Sequence, residues 1–116
     1  MERYKVVLSQ KGKAEIRAIV RYIAVHLREP ATAKRIQKRF KEMVASLKTM
    51  PKRFAPVPDS YLASAGFRIT FVGNYLVFYT LDEDKKTVNI SRVLNGRQNW
   101  IELLTQDQAK TSPGGI

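Results

Sequence analysis

Two adjacent strand patterns near the C-terminus constrain the fold of this chain more than any other feature. Tyr75–Leu81 is apolar on both faces, which is the pattern of a central strand covered on both sides. The polar run Asp82–Lys86 supplies a turn, and Val88–Leu94 is the second strand. This hairpin predicts a small sheet with a buried middle strand.

The end of the hairpin carries polar and cationic side chains. Arg92, Asn95 and Arg97 come to one edge of the sheet, because Asn95-Gly96 breaks the second strand. Arg92 falls in the apolar phase of its strand, so either the strand bulges there or the guanidinium pairs with a specific anion or carboxylate. Glu102 is a candidate for a structural salt bridge with it. Arg97 lies in a loop, where a side chain can reach a ligand.

Two amphipathic helices precede the hairpin. The first begins at Ser9 or Gln10, and the second begins with Pro30 in its first turn. Their apolar positions recur every three or four residues: Ile16, Ile19, Val20, Ile23 and Leu27 in the first, and Ala33, Ile36, Phe40, Met43, Val44 and Leu47 in the second. The outer positions of the second helix form a basic face: Lys34, Arg35, Lys38, Lys41 and Lys48. Arg17 and Arg21 lie off the apolar stripe of the first helix.

The remaining segments complete an α+β fold. Tyr4–Leu8 is an N-terminal strand, residues 51–66 are a proline-rich connector, Phe67–Val72 is a strand, and Gln98–Leu104 is a short helix. In the strand Phe67–Val72, alternation places Phe67, Ile69 and Phe71 inward and Arg68 and Thr70 outward. The short helix packs back through Trp100, Ile101 and Leu104. The order β-α-α-β-β-β-(α) predicts a small antiparallel-rich sheet with the two N-terminal helices on one face.

Size and composition favour a soluble basic protein. The 116 residues suffice for one domain, which we expect at residues 1–104, followed by a flexible C-terminal tail at 105–116. The chain has no cysteine and no apolar run of membrane-spanning length, so we expect a cytoplasmic protein without a membrane partner. Residues 1–53 hold 15 of the 21 Lys and Arg residues, and the net charge is +11. Such a field attracts polyanions or an acidic partner.

Residues suited to catalysis are few. The only histidine, His26, lies near the end of the first helix, far in sequence from the hairpin. The three acids of Asp82–Asp84 lie in a turn and do not have the spacing of metal ligands. The sequence contains no Walker loop, Rossmann glycine pattern, zinc motif or nucleophile elbow. We therefore expect no metal and no cofactor. Arg68 is the further cation that can neighbour the hairpin end, and whether the chain is an enzyme stays open.

Two motifs resemble the RelE/ParE superfamily of type II toxin–antitoxin toxins, and more closely its ParE-like branch. They are Gly73-Asn-Tyr-Leu-Val-Phe-Tyr79 and Ile90-Ser-Arg-Val-Leu-Asn-Gly-Arg97. The resemblance extends from Tyr4 to about Leu104 and includes the order of the elements. It implies a toxin of compact α+β fold that is neutralised by a cognate antitoxin.

Two activities occur in this superfamily, and the resemblance separates them. RelE-like toxins cleave mRNA in the ribosomal A site with Lys and Arg groups and a tyrosine, histidine or glutamate, whereas ParE-like toxins block DNA gyrase. Arg68 lies where RelE-like toxins often carry a catalytic lysine, but the second lysine is replaced by Thr70 and the following arginine by Leu76. Many ParE-like sequences have histidine where this chain has Asn95.

The resemblance therefore favours a growth-inhibiting, plasmid-stabilisation type of toxin that inhibits DNA gyrase. Its antitoxin would bind through an acidic or amphipathic C-terminal segment and form a toxin–antitoxin hetero-oligomer. The alternative is a metal-independent, ribosome-dependent mRNA endoribonuclease that uses Arg68, Arg92 and Arg97, and a further alternative is a non-toxic basic binding module. The expected target- or antitoxin-binding residues are Arg68, Arg92, Asn95, Arg97, Trp100, Arg17 and Arg21.

Overall fold

The computed structural model describes residues 3–111 and has the predicted α+β architecture. Its elements are β1 (Lys5–Leu8), α1 (Gln10–Arg21), a π-helical turn (Tyr22–His26), α2 (Pro30–Ser46), a 3-10 turn (Pro51–Arg53), α3 (Ser60–Ser64), β2 (Arg68–Val72), β3 (Tyr75–Asp82), β4 (Thr87–Asn95) and α4 (Trp100–Thr111). The strand order is β1-β4-β3-β2. Strand β1 runs parallel to β4, and the other pairs are antiparallel.

Both faces of the sheet are covered. On one face Val77 and Tyr79 pack with Phe40 and Leu47 of the α2 region, and on the other face Phe78 packs with residues of α3 and α4. The sequence pattern of β3 is therefore confirmed as that of a central, doubly covered strand. In the described part of the chain no helix is both long enough and apolar enough to cross a membrane.

Strand β2 corrects one prediction. Thr70 is 5% exposed, although alternation placed it outward, and Phe71 is 61% exposed, although alternation placed it inward. The physical reason is that the sheet has two covered faces, so the positions of Thr70 and Val72 meet the α1–α2 layer. On the opposite face of the sheet, the packed residues cover Phe67, but this cover does not extend as far as Phe71.

Of the two alternatives for Arg92, a bulge in β4 is present. Phe78 pairs with Arg92 and Tyr79 pairs with Ile90, so Ser91 is the extra residue on β4. Because the extra residue reverses the alternation, Ile90 lies on the α1–α2 side, and Arg92 turns to the α3–α4 side. An arginine in the apolar phase is thus directed away from the main core.

Helix α1 lies close against β4 beyond the end of β1. The Ser9 backbone N–H donates to the Ile90 carbonyl, and the Ser9 hydroxyl donates to the Ser91 carbonyl at 2.6 Å. The Val93 N–H donates to Glu15 Oε1 at 2.8 Å. The side chains of the N-cap residue Ser9 and of Glu15 in α1 therefore pair with the β4 edge that β1 leaves open. This approach brings Glu15 next to Arg92.

Both ends of the helical segments differ from the predictions. The first helix changes to a π-helical turn after Arg21. A π-helical turn holds one more residue than an α-helical turn, so Leu27 is rotated off the apolar stripe of the helix and is 47% exposed. In α4, Leu104 is buried as predicted but Ile101 is 40% exposed. Helix α4 also continues to Thr111, so residues 105–111 are helical where a tail was expected. The rest of the expected tail, 112–116, lies outside the described residues.

Candidate functional site

An open concave surface lies where the β2–β3 turn meets the end of β4, and we call it the hairpin-end groove. It is lined by Tyr22, Phe71, residues 73–76 and residues 95–97, and it encloses about 640 Å³. Tyr22 comes from the π-helical turn, so the first helix reaches the end of the sheet. The groove therefore joins parts of the chain that are far apart in sequence.

Backbone geometry shapes this end of the sheet. Gly73 has φ +58°, which the left-handed turn between β2 and β3 requires. The space beside it is taken by the Arg39 guanidinium, which lies 3.4 Å from where a Cβ atom would stand. On the β4 side, Asn95 Oδ1 accepts from the Arg97 N–H at 2.9 Å, and Gln98 Oε1 accepts from the Asn95 N–H at 3.0 Å. The side chains of Asn95 and Gln98 thus close the loop that presents Arg97.

The groove combines cations with exposed aromatic rings. Tyr22 and Phe71 are 52% and 61% exposed. The Arg97 guanidinium is exposed and pairs with no acceptor in the described part of the chain. The described lining contains no His, Asp, Glu or Lys. A surface of this composition can bind an anionic, partly apolar partner. The His26 ring stacks on the groove residue Tyr22, with 5.2 Å between the ring centroids.

Arg92 lies outside this groove in an ionic network. Its Nε donates to Glu15 Oε2 at 2.9 Å, and its Nη1 donates to Asp107 Oδ2 at 3.0 Å. The side chain is 11% exposed. Lys11 Nζ lies 2.7 Å from Asp107 Oδ1, so two cations and two carboxylates tie α1, β4 and α4 together. The predicted carboxylate pairing is confirmed, but the partner is not Glu102.

Ionisation of this network is stabilised by its hydrogen bonds. Burial disfavours the charged carboxylate of Asp107, but hydrogen bonds from Lys11 and Arg92 outweigh it and lower its pKa. Burial also disfavours the charged form of Arg92, but its bonds to Glu15 and Asp107 raise its pKa. Glu102 instead accepts from Asn99 Nδ2 at 3.1 Å. Arg92 is therefore engaged within the fold.

Arg68 is engaged as well, at the end of β2 away from the groove. Its Nη1 donates to the carbonyls of Lys52 and Phe54 at 3.1 and 2.6 Å. The neighbouring Tyr79 hydroxyl donates to the Pro51 carbonyl at 2.5 Å, and burial raises the pKa of Tyr79 to about 12 despite the nearby Arg68. These bonds fix the proline-rich connector to the sheet.

The other predicted site residues lie in three places. The Trp100 ring stacks on Phe78 with 5.2 Å between ring centroids, so it packs on the α4 side of the sheet. Arg17 and Arg21 are exposed on α1. Of the seven predicted residues, the groove contains Asn95 and Arg97.

The groove also contains residues that sequence reasoning missed. Tyr22 and Phe71 line it, and Arg39 borders it. A π-helical turn has no dependable sequence signal, and Phe71 matched the alternation of an inward residue. The signal that existed for Arg39 was its place among the exposed cations of the second helix.

Family comparison identifies the chain. The model of the ParE toxin of type II toxin–antitoxin system, parDE, matches residues 6–100. The chain belongs to this ParE toxin family. It is therefore a type II toxin–antitoxin toxin, as the hairpin motifs predicted. A search of curated proteins found no significant match.

Solved structures share the fold of this ParE-family toxin. The chromosomal ParDE toxin–antitoxin system from P. aeruginosa matches with a TM-score of 0.64 and 19% identity, over 80% of this chain and 96% of that chain. The RelBE2 toxin–antitoxin complex from Mycobacterium tuberculosis matches with a TM-score of 0.58 and 18% identity, over 84% and 97%. The archaeal RelE–RelB complex from Pyrococcus horikoshii OT3 matches with a TM-score of 0.56 and 17% identity, over 83% and 99%.

The three positions that depart from the superfamily patterns have distinct environments in this toxin. Thr70 is buried under the helices, at 5% exposure. Leu76 and Asn95 both line the hairpin-end groove. The groove therefore has an apolar group and an amide where the RelE-like and ParE-like patterns have arginine and histidine.

Proposed function

We propose that this ParE-family toxin inhibits DNA gyrase by binding it through the hairpin-end groove. The observation that supports this proposal is the composition of the groove: an unpaired Arg97 beside exposed aromatic rings, without His, Asp, Glu or Lys among the described lining residues. A binding inhibitor needs a complementary surface and no proton transfer. Aromatic and arginine side chains are also the types that dominate binding energy at protein interfaces.

The same residues argue against cleavage of mRNA on the ribosome. Cleavage would require cations for the phosphate and a group that moves a proton. Two of the three arginines proposed for this role, Arg68 and Arg92, are bonded within the fold. Arg97 remains as the one exposed cation of the three, and the described lining of the groove offers no His, Asp or Glu to move a proton.

An acidic antitoxin is the second partner that we propose. The net charge is +11, and most of the excess lies on the helical half of the chain. A disordered acidic segment that folds on binding would gain from this field and from the exposed face of α2. We propose a toxin–antitoxin hetero-oligomer in the cytoplasm whose toxin requires neither metal nor cofactor and inhibits growth when it is released.

Two assays separate the target classes. Purified toxin at micromolar excess should inhibit gyrase supercoiling of plasmid DNA in a dose-dependent manner and leave mRNA intact in a translation extract. Unchanged supercoiling would reject gyrase as the target. Message cleaved in the A site of the ribosome would instead identify the endoribonuclease. Normal growth after induction without an antitoxin, with soluble folded toxin in the cells, would point to a non-toxic binding module.

A further inference from the structure

The edge of β2 beside the groove has open hydrogen-bonding positions. The connector pairs with the first part of this edge, since the Val57 N–H donates to the Phe67 carbonyl and the Ile69 N–H donates to the Ala55 carbonyl. In an antiparallel ladder every second residue points its N–H and C=O outward, so Phe71 follows Phe67 and Ile69 in this phase. No connector bond to Phe71 occurs in the described part of the chain.

Side-chain exposure marks the same position. Phe71 is the large apolar residue of β2 that projects into solvent, at 61% exposure, and its ring lines the hairpin-end groove with Tyr22. Native sheets normally protect an open edge with charges, proline or a covering loop. An exposed phenylalanine at this open stretch of β2 is the opposite of that protection, and it fits an edge that a partner covers.

Charge identifies the kind of partner. Arg39 borders the Gly73 turn that follows this stretch, and Arg97 lies across the groove. A second copy of this chain is disfavoured as the occupant, because each copy carries a net charge of +11. A nucleic acid would satisfy the cations but would leave the backbone N–H and C=O of Phe71 without a strand-like partner. An acidic polypeptide can pair with the open backbone of Phe71, pack against its exposed ring and neutralise Arg39 and Arg97.

We propose that the Phe71 edge and the hairpin-end groove together dock an acidic, extended segment of a protein partner. The segment adds to β2 through the backbone of Phe71, places an apolar side chain against Phe71 and Tyr22, and directs carboxylates to Arg39 and Arg97. The proposal rests on the proposed function in taking the groove as the surface presented to the target. It adds the chemistry and the conformation of the target segment.

The test uses a synthetic peptide of alternating Glu and Val residues and the full-length toxin. A matched peptide has the same sequence but carries an N-methyl group on every residue, so it keeps charge and side chains and loses its backbone donors. Amide chemical shifts and hydrogen exchange should report binding at residues 70–76 and 95–97, with slower exchange of the Phe71 N–H. The N-methylated peptide should bind at least about tenfold more weakly, which corresponds to ~1.4 kcal/mol.

Variants distinguish the groove from general attraction to a basic protein. Phe71→Ser should reduce affinity for the Glu–Val peptide about tenfold or more. Tyr61→Ser is the matched control, because Tyr61 is 57% exposed on α3, away from the groove, and it should bind the peptide as the unaltered toxin does. Folding of each variant is checked by its far-UV spectrum and thermal transition.

Several results would overturn the proposal. These are equal binding of the two peptides, shifts confined to the basic face of α2, tighter binding of a single-stranded oligonucleotide at residues 70–76, or self-association through β2. Peptide docking at Phe71 without inhibition of supercoiling would reject gyrase and retain the docking surface. Inhibition without peptide docking would reject the docking surface and retain gyrase.

Discussion

Arg92 and Arg97 lie close together in the sequence, the first within β4 and the second just after its end, and have opposite environments. The Arg92 guanidinium is bonded to Glu15 and Asp107 and is 11% exposed. The Arg97 guanidinium is exposed at the mouth of the hairpin-end groove and has no carboxylate partner among the described residues. One arginine therefore joins three elements of the fold, and the other is available to a partner.

The bulge at Ser91 separates these two roles. It turns Arg92 toward α4, where Asp107 lies, and β4 then ends at Asn95 so that Arg97 enters a loop. A side chain in the network is placed by residues from both ends of the chain. A side chain in the loop is placed by local bonds alone. Charge and neighbouring sequence do not distinguish the two, but the elements packed around them do.

Replacing Arg92 should have the largest effect on stability. Arg92→Leu leaves Glu15 and Asp107 partly buried without their shared cation, and we expect the free energy of unfolding to fall by about 3 kcal/mol. Urea denaturation at neutral pH measures the change. Arg92→Lys keeps the charge but loses the forked geometry, so its loss should be smaller. A loss for Arg92→Leu no larger than that of an exposed surface substitution would contradict the structural role.

Asp107→Asn should have a smaller effect that depends on pH. The pKa of Asp107 is lowered in the fold, so its ionised form stabilises the protein above its ordinary pKa of about 3.9 and this contribution is lost as pH falls below that value. We expect a loss of about 1–2 kcal/mol at neutral pH, since a charge-assisted hydrogen bond is removed at a partly exposed site. The difference in the free energy of unfolding between the variant and the unaltered protein should be constant above about pH 5 and shrink as pH falls below about 3.9 toward the lowered pKa. If the free energies of unfolding of the two proteins fell in parallel with pH, Asp107 would not be the source of this pH dependence.

Arg68→Gln tests whether a third arginine belongs with Arg92 rather than with Arg97. Its guanidinium bonds to the carbonyls of Lys52 and Phe54, and glutamine is too short to reach both. We expect a loss of about 1 kcal/mol, the typical value for such bonds, and faster proteolysis of the connector. Thermal unfolding and limited proteolysis measure the two effects. Inhibition of supercoiling by the folded variant should be unchanged. A loss of inhibition would show that Arg68, like Arg97, contributes to binding the target.

The fold could be predicted from the sequence because its signals are local and repeated. The stripe from Ala33 to Leu47 and the doubly apolar run of β3 each predict an element and its buried side. The groove could be predicted only in part, through Asn95 and Arg97. Tyr22 reaches it because a π-helical turn alters the end of α1, and the partners of Arg92 lie far away in sequence. Such contacts depend on tertiary packing, which no window of sequence contains.

Arg97→Gln should have the smallest effect on stability and should separate stability from function. Because the guanidinium has no intramolecular partner among the described residues, the free energy of unfolding should change by less than about 0.5 kcal/mol. The concentration of toxin that half-inhibits gyrase supercoiling should nevertheless rise about tenfold or more, as expected for an arginine in an interface. Lys85→Gln is the matched control, since Lys85 is an exposed cation in the β3–β4 turn, and it should change neither quantity. A marked destabilisation by Arg97→Gln would show that both arginines serve the fold. Unchanged inhibition would show that neither arginine serves the target.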